Sequence, residues 1–243
     1  MPRLIALCLF LLSAPPALAC RLALAMGFDV SRSVDARDYA IQIDGIRAAF
    51  ADPDVQAALF EPDQPVALAL YEWSGEHQQV LIADWALIRT PADLAALDAR
   101  IAAHVRRHEG LTAVGTALIW GHRLLQRAPR CAQQVLDISG DGYVNVGPPP
   151  ARVYARTDFG AITVNGLAIG GHESGILRWY AAEVMRGPGA FVEYAPTHRD
   201  FAAAFRRKLL HELSAPPLAR VPDQPPAWPA SARSISATVS STP

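Results

Sequence analysis

Leu22-Ala23-Leu24-Ala25-Met26-Gly27-Phe28-Asp29-Val30-Ser31-Arg32-Ser33 is the stretch that decides the fold. Its first half is apolar at every position, the mark of a central strand covered by helices on both faces. Its second half places an Asp and two Ser at alternate positions, where the strand gives way to a helix. Helical spacing then runs from Ser33 to Phe50 through Val34, Tyr39, Ile43 and Ile46. Asp35 and Asp38 fall in the first turns, where negative charge is favoured.

The same alternation continues outward. Asp52-Pro53-Asp54 breaks the first helix, and Val55 to Phe60 adds a turn or two. Val66–Trp73 is a second buried strand. Ser74-Gly75 turns the chain, and Gln79–Asp84 returns after so short a link that only antiparallel pairing is open to it. Thr90-Pro91 starts a capped helix carried by Leu94, Leu97, Ile101 and Val105. Val114 to Leu125 is another helix, Gln134–Ser139 a fourth strand, and Ala151 to Arg156 a short helix. Ala161–Ile169 is a fifth strand, followed by a helix from about Gly175 to Met185, a short strand at Phe191–Tyr194 and a last helix from Thr197 to Leu213. The expected fold is α/β and Rossmann-like: a mostly parallel sheet with one antiparallel edge strand and helices on both faces.

The ends read differently. Met1-Pro2-Arg3 and the apolar Leu4–Leu12, closed by Ala17-Leu18-Ala19, have the form of a secretory signal peptide over residues 1–19. The run is too short to span a bilayer, and no later stretch of about 20 apolar residues exists. Export implies a periplasmic or secreted protein and an oxidising compartment, so a Cys20–Cys131 disulfide is expected. A competing reading makes Cys20 a lipidated first residue, although Ala17-Leu18-Ala19 fits plain cleavage better. From residue 215 to 243 seven prolines and five serines replace regular apolar spacing, the composition of a disordered tail. Residues 20–214 remain as one domain. The formal net charge of −1 carries no nucleic-acid footprint.

In such sheets ligands bind at the carboxyl ends of strands near the switch in strand order. Three segments supply candidates there: Asp29, Ser31 and Ser33; Thr112 in Gly110-Leu111-Thr112; and Asp141 between Gly140 and Gly142. Two carboxylates and three hydroxyls suit Mg²⁺, which takes oxygens in octahedral geometry and keeps some waters. Sulfur and imidazole are absent from the set, which argues against zinc.

The Asp-x-Ser-x-Ser signature at 29–33, the isolated Thr112 and Asp141-Gly142 resemble, in order and spacing, the metal-ion-dependent adhesion site of a von Willebrand factor type A (VWA) domain. Glu72-Trp73-Ser74-Gly75, Ser139–Gly142, Thr163–Ile169 and Gly187–Val192 further resemble a bacterial secreted group of that superfamily, the domain of unknown function 1194. The resemblance covers about residues 20–214. It implies Mg²⁺, or Mn²⁺ or Ca²⁺, held by Ser31, Ser33 and Thr112, with Asp29 and Asp141 acting partly through water. It also implies an open coordination position for a carboxylate from a protein partner.

Several residues carry blander readings. Asp137 reads as a strand-end residue, His104 and His108 as a solvated helix end, and His172-Glu173 as loop. Trp73, Trp120 and Trp179 sit in apolar runs and read as packing. Glu72 either lies at the metal edge or pairs with an Arg in the core. No Gly-x-Ser-x-Gly elbow, P-loop or dinucleotide glycine pattern appears, so the expectation is a binding domain and not an enzyme. A Mg²⁺-dependent hydrolase and a metal-stabilised structural domain are the alternatives.

Overall fold

A computed structural model describes residues 18–60 and 62–214. The core of the expected signal peptide and the expected tail, 215–243, lie outside the described residues. In chain order the elements are β1 (Cys20–Asp29), α1 (Ala36–Ala51), α2 (Pro53–Phe60), β2 (Val66–Trp73), β3 (Gln79–Ile88), α3 (Pro91–Ala103), α4 (Val114–Gln126), β4 (Cys131–Gly140), α5 (Pro150–Arg156), β5 (Thr163–Ile169), α6 (Ile176–Trp179), β6 (Val192–Ala195) and α7 (Phe201–Ser214). A π turn, Tyr180–Val184, continues α6, and a 3₁₀ turn, His198–Asp200, leads into α7.

The six strands lie in the order β3-β2-β1-β4-β5-β6. All pairs are parallel except β2 with β3 at the edge. The chain moves from β1 toward β2 and later returns to place β4 on the other side of β1. The switch in strand order therefore lies between β1 and β4. Their register sets Phe28 beside Ser139, which brings Asp29 and Asp141 to one edge.

Alternation along the strands splits the core. Leu22, Leu24, Met26 and Phe28 face a layer that includes Ile46 and Phe50 of α1 and Phe201, Phe205 and Leu209 of α7. Ala23 and Ala25 face the other layer, with Ala117 and Leu118 of α4 and Tyr180. Small residues on that side let α4 come close. A Cβ on Gly27 would stand 2.5 Å from Tyr71 Cζ, and one on Gly121 would stand 2.3 Å from Leu136 Cδ1. Tyr71 fills this space, donates its hydroxyl to the Ala117 carbonyl at 2.9 Å and packs against Trp120.

The disulfide joins Cys20 to Cys131, at the amino-terminal end of the β1–β4 pair. Lys208, the sole lysine of the chain, is fully buried on α7. Its ammonium stands 2.7 Å from Asp137 and pairs with Glu212. Asn165 donates to the same Glu212 at 2.8 Å and accepts the Phe191 N–H at 3.1 Å. Asp137 is therefore an interior residue of β4 and not a strand end. Its carboxyl is pushed up to about 7 by burial, against the pull of Lys208.

Three helix expectations are corrected. α1 starts at Ala36, not Ser33, because Asp35 is the cap, its carboxylate accepting the N–H of Arg37 and Asp38. α3 ends at Ala103, so His104 and His108 share no helix face and Val105 is 73% exposed. His104 is not a solvated helix end. Its side chain is buried, with Nε2 3.0 Å from Glu72 Oε2. The helix expected over 175–185 is one α turn followed by the π turn.

Candidate metal centre

Asp29 closes β1 and is fully buried. Its Oδ1 accepts the Ser31 N–H at 2.7 Å, which fixes the turn after the strand. Among the described residues its Oδ2 has no hydrogen-bond partner. The Ser31 and Ser33 hydroxyls stand 3.1 Å apart, and Ser33 Oγ donates to Asp141 Oδ1 at 2.7 Å. Asp141 Oδ2 is likewise buried without a hydrogen bond. Each carboxylate thus commits one oxygen to a hydrogen bond at the rim, while the other has none among the described residues; Asp141 Oδ2 faces His198 Nε2 at 3.9 Å and His172 Nε2 at 4.0 Å.

Thr112 arrives from the other side. Residues 104–113 carry no regular structure and run as a strap from α3 to α4. Thr112 is clamped by Asn145, whose Oδ1 accepts the Thr112 N–H at 2.7 Å and whose own N–H donates to the Thr112 carbonyl at 3.0 Å. A Cβ on Gly142 would stand 3.4 Å from Thr112 Oγ1, so the Asp141-Gly142 turn passes directly beside that hydroxyl. Arg106, on the same strap, donates to the carbonyls of Val30 at 2.7 Å and Ser31 at 3.1 Å. The Arg32 N–H donates to the Gly110 carbonyl at 3.0 Å. Ser33, Thr112, Asp141, Arg32 and His172 line a cleft of about 130 Å³. The five residues read from the sequence therefore meet at one rim, with Asp29 and Ser31 at its buried base and Arg32 exposed.

The electrostatics follow from this crowding. Burial, and then the neighbouring Asp141 charge, push the Asp29 carboxyl up to about 8, while the Ser31 hydrogen bonds and Arg106 pull it down. Such a pair of carboxyls is stable when a proton or a cation lies between them. Gly140 makes the approach feasible, since a Cβ there would meet Tyr180 Oη at 2.5 Å and Asp29 Oδ2 at 2.9 Å. Tyr180 is fully buried and its hydroxyl has no hydrogen-bond partner among the described residues; burial holds it well above the usual phenol range.

Sequence reasoning missed Asn145, Arg106, Tyr180 and His198. None lies in a motif; each reaches the rim from a loop or turn whose path depends on tertiary packing. Glu72 follows the first of its two readings: it stands at the carboxyl end of β2, in register with Phe28 beside Asp29. It accepts the Tyr39 hydroxyl at 2.6 Å and faces His104, so its partners are a phenol and an imidazole and not an arginine.

The profile of the family described as "Protein of unknown function (DUF1194)" matches residues 19–217. The chain belongs to this family. No curated protein matches it. Among solved structures it is similar to proximal thread matrix protein 1 from the mussel byssus, at 15% identity and a TM-score of 0.58, over 81% of this chain and 49% of that one. A second structure of the byssus protein, with a zinc-occupied MIDAS motif (metal-ion-dependent adhesion site), matches at 14% identity and a TM-score of 0.52, over 80% and 48%. A von Willebrand factor type A protein from Catenulispora acidiphila matches at 19% identity and 0.57, over 80% and 43%. The pilus adhesin SpaC from Lactobacillus rhamnosus GG matches at 12% and 0.56, over 80% and 30%. At these identities the likeness is one of fold: the DUF1194 chain has a VWA-like domain. It spans less than half the length of each of these structures.

Proposed function

We propose that this DUF1194 chain is an exported recognition domain that holds a divalent cation, Mg²⁺ in the first instance, among Asp29, Ser31, Ser33, Thr112 and Asp141. Through that cation it binds a carboxylate on a protein partner. The observation that carries the reading is the pair of buried carboxylate oxygens, Asp29 Oδ2 and Asp141 Oδ2, left without hydrogen bonds beside three hydroxyl-bearing residues at the strand-order switch. An unpaired buried carboxylate oxygen is costly, and a hard cation satisfies it. The all-oxygen donor set fits Mg²⁺, with Mn²⁺ or Ca²⁺ as substitutes.

The chain's own residues have separate parts. Asp29 and Asp141 supply charge. Ser31, Ser33 and Thr112 supply neutral oxygens at fixed positions. Arg106 and Asn145 hold the turns that carry them. A bound cation would supply an electrophilic centre for the partner's carboxylate, and Arg32 stands exposed on the rim as a second contact for an anionic partner. Support for export comes from the Cys20–Cys131 disulfide, a bond of oxidising compartments, together with the expected signal peptide. Among the described residues no helix is long and apolar enough to cross a membrane.

The test is calorimetry of Mg²⁺ binding to the purified chain, paired with affinity capture from envelope extract in Mg²⁺ and in chelator. One Mg²⁺ per chain, lost in Asp141→Asn, with capture that chelator releases, is the expected result. Unchanged Mg²⁺ affinity in Asp141→Asn would refute the site. Turnover of phosphoester substrates that Asp29→Asn abolishes would replace recognition with hydrolysis.

A further inference from the structure

A second cluster lies behind Asp141: Asp38 and His198, with His172 standing between this cleft and that of the first rim. Asp38 stands in the first turn of α1. His172 stands on the Gly170-Gly171 turn after β5, where Gly171 takes a φ of 108°, a left-handed backbone that suits glycine. His198 opens the 3₁₀ turn before α7, capped by the reciprocal Thr197–Asp200 bonds. Each of the three brings one ligand atom within 4.8 Å of the other two.

We propose that Asp38, His172 and His198 form a separate site for a borderline-soft divalent metal, Zn²⁺ by its donor set, beside the Mg²⁺ rim. The inference goes beyond the recognition reading and does not require it. Two imidazole nitrogens and a carboxylate are a zinc set with one position left for water or a ligand, whereas Mg²⁺ takes oxygen.

The buried member points to a ligand. His198 is 5% exposed, yet its Nε2 has no hydrogen-bond partner among the described residues. Its Nδ1 lies 3.5 Å from Asp38 Oδ2, and its Nε2 lies 3.9 Å from Asp141 Oδ2. His172 Nε2 lies 4.0 Å from that same oxygen. These gaps exceed direct hydrogen bonds. Ligands around a tetrahedral zinc, bound at about 2.0–2.1 Å, stand roughly 3.3 Å from one another. The Asp38 Oδ2–His198 Nδ1 gap of 3.5 Å is near that separation, so Nδ1 would be the binding nitrogen of His198, with the half-exposed His172 turning in to complete the set. Asp38, His172 and His198 also line a cleft of about 370 Å³, which gives an ion a way in. The other charged groups of that cleft, Asp35, Arg37 and Arg199, are exposed.

The experiment is titration of the full chain with Zn²⁺, and with Co²⁺ as a spectroscopic probe, in a large excess of Mg²⁺. One Zn²⁺ should bind, and Co²⁺ should show the visible absorption of a nitrogen-containing low-coordinate site. His172→Ala, on an exposed turn and safe for folding, and Asp38→Asn should each weaken Zn²⁺ at least about 10-fold, the lower end of what even an outer-shell loss costs. Ser33→Ala should leave Zn²⁺ affinity unchanged. No Zn²⁺ uptake, or uptake indifferent to both His172→Ala and Asp38→Asn, overturns the proposal. So does Zn²⁺ that Mg²⁺ displaces and Ser33→Ala abolishes, because that ion occupies the first rim. Zn²⁺ binding as expected in a chain that binds no Mg²⁺ sustains this site and defeats only the recognition reading.

Discussion

Binding of Mg²⁺ at the proposed rim has to displace a proton from Asp29. The carboxyl is pushed up to about 8 by burial first and by Asp141 second. At pH 7 a group of that value is about 90% protonated, and at pH 9 only about 10%. A cation takes the ionised form, so binding at pH 7 should release about 0.9 proton and at pH 9 about 0.1. Apparent affinity should rise roughly tenfold between the two. The assay is titration calorimetry in buffers of different ionisation enthalpy, where the slope of observed enthalpy against buffer enthalpy counts protons. Tight Mg²⁺ binding with a slope below about 0.3 at pH 7 would refute this, since Asp29 would then be ionised without the cation. The sign carries over to stability. The folded-state value of Asp29 lies above the ordinary carboxylate value, so its contribution is complete below about pH 4 and disappears as the pH rises through about 8. The melting temperature of metal-free protein should fall across that window on this account, and saturating Mg²⁺ should flatten the fall.

Two further outcomes follow from the core. Replacing both Cys20 and Cys131 with Ser opens a loop of sequence separation 111, which chain entropy values at about 5 kcal/mol, or roughly 10 to 20 °C in melting temperature. Urea unfolding checks this, and a loss under about 1 kcal/mol would show that the bond does not constrain the unfolded chain. Lys208→Met strands Asp137 and Glu212 as buried acids and should cost about 3–5 kcal/mol, partly recovered when Asp137→Asn and Glu212→Gln are added. A Lys208→Met protein that unfolds at the same urea concentration as the parent would contradict the buried ion cluster.

Apolar runs and hydroxyl spacing carried most of the fold and the first rim. β1, β2, β5 and the second half of β4 are buried on both faces, so their apolar runs report strands without any need for periodicity. Asp29, Ser31, Ser33 and Asp141 lie on turns that directly continue β1 and β4, so locating the strands located them. Thr112 was legible for a different reason: its place between Gly110 and the start of α4 matches a family pattern. The parts that stayed hidden depend on distant partners. His104 sits one residue past a helix end and looks solvated until Glu72, from β2, is brought to it. Lys208 looks like a surface cation within an amphipathic helix until Asp137 and Glu212 enclose it. His198 is isolated in sequence from both Asp38 and His172. Asp35 misled the start of α1, because a capping carboxylate and a first-turn carboxylate look alike in a string of residues.

The guanidinium of Arg21, one residue after the disulfide cysteine, donates to the carbonyls of Leu213 and Ala58, each at 2.6 Å. It thereby sews the beginning of β1 to the end of α7, at the edge of the sheet opposite Asp29 and Asp141. In mechanical terms the domain is anchored at one pole and works at the other. A pull entering at Cys20 divides between β1 and, through the disulfide, β4, the two strands that carry the aspartates. The load runs along both in parallel and keeps them in register. Anything fused to either end of the domain is fastened at the far pole and leaves the rim facing outward, which makes either end a suitable tether for immobilising the protein in a partner search.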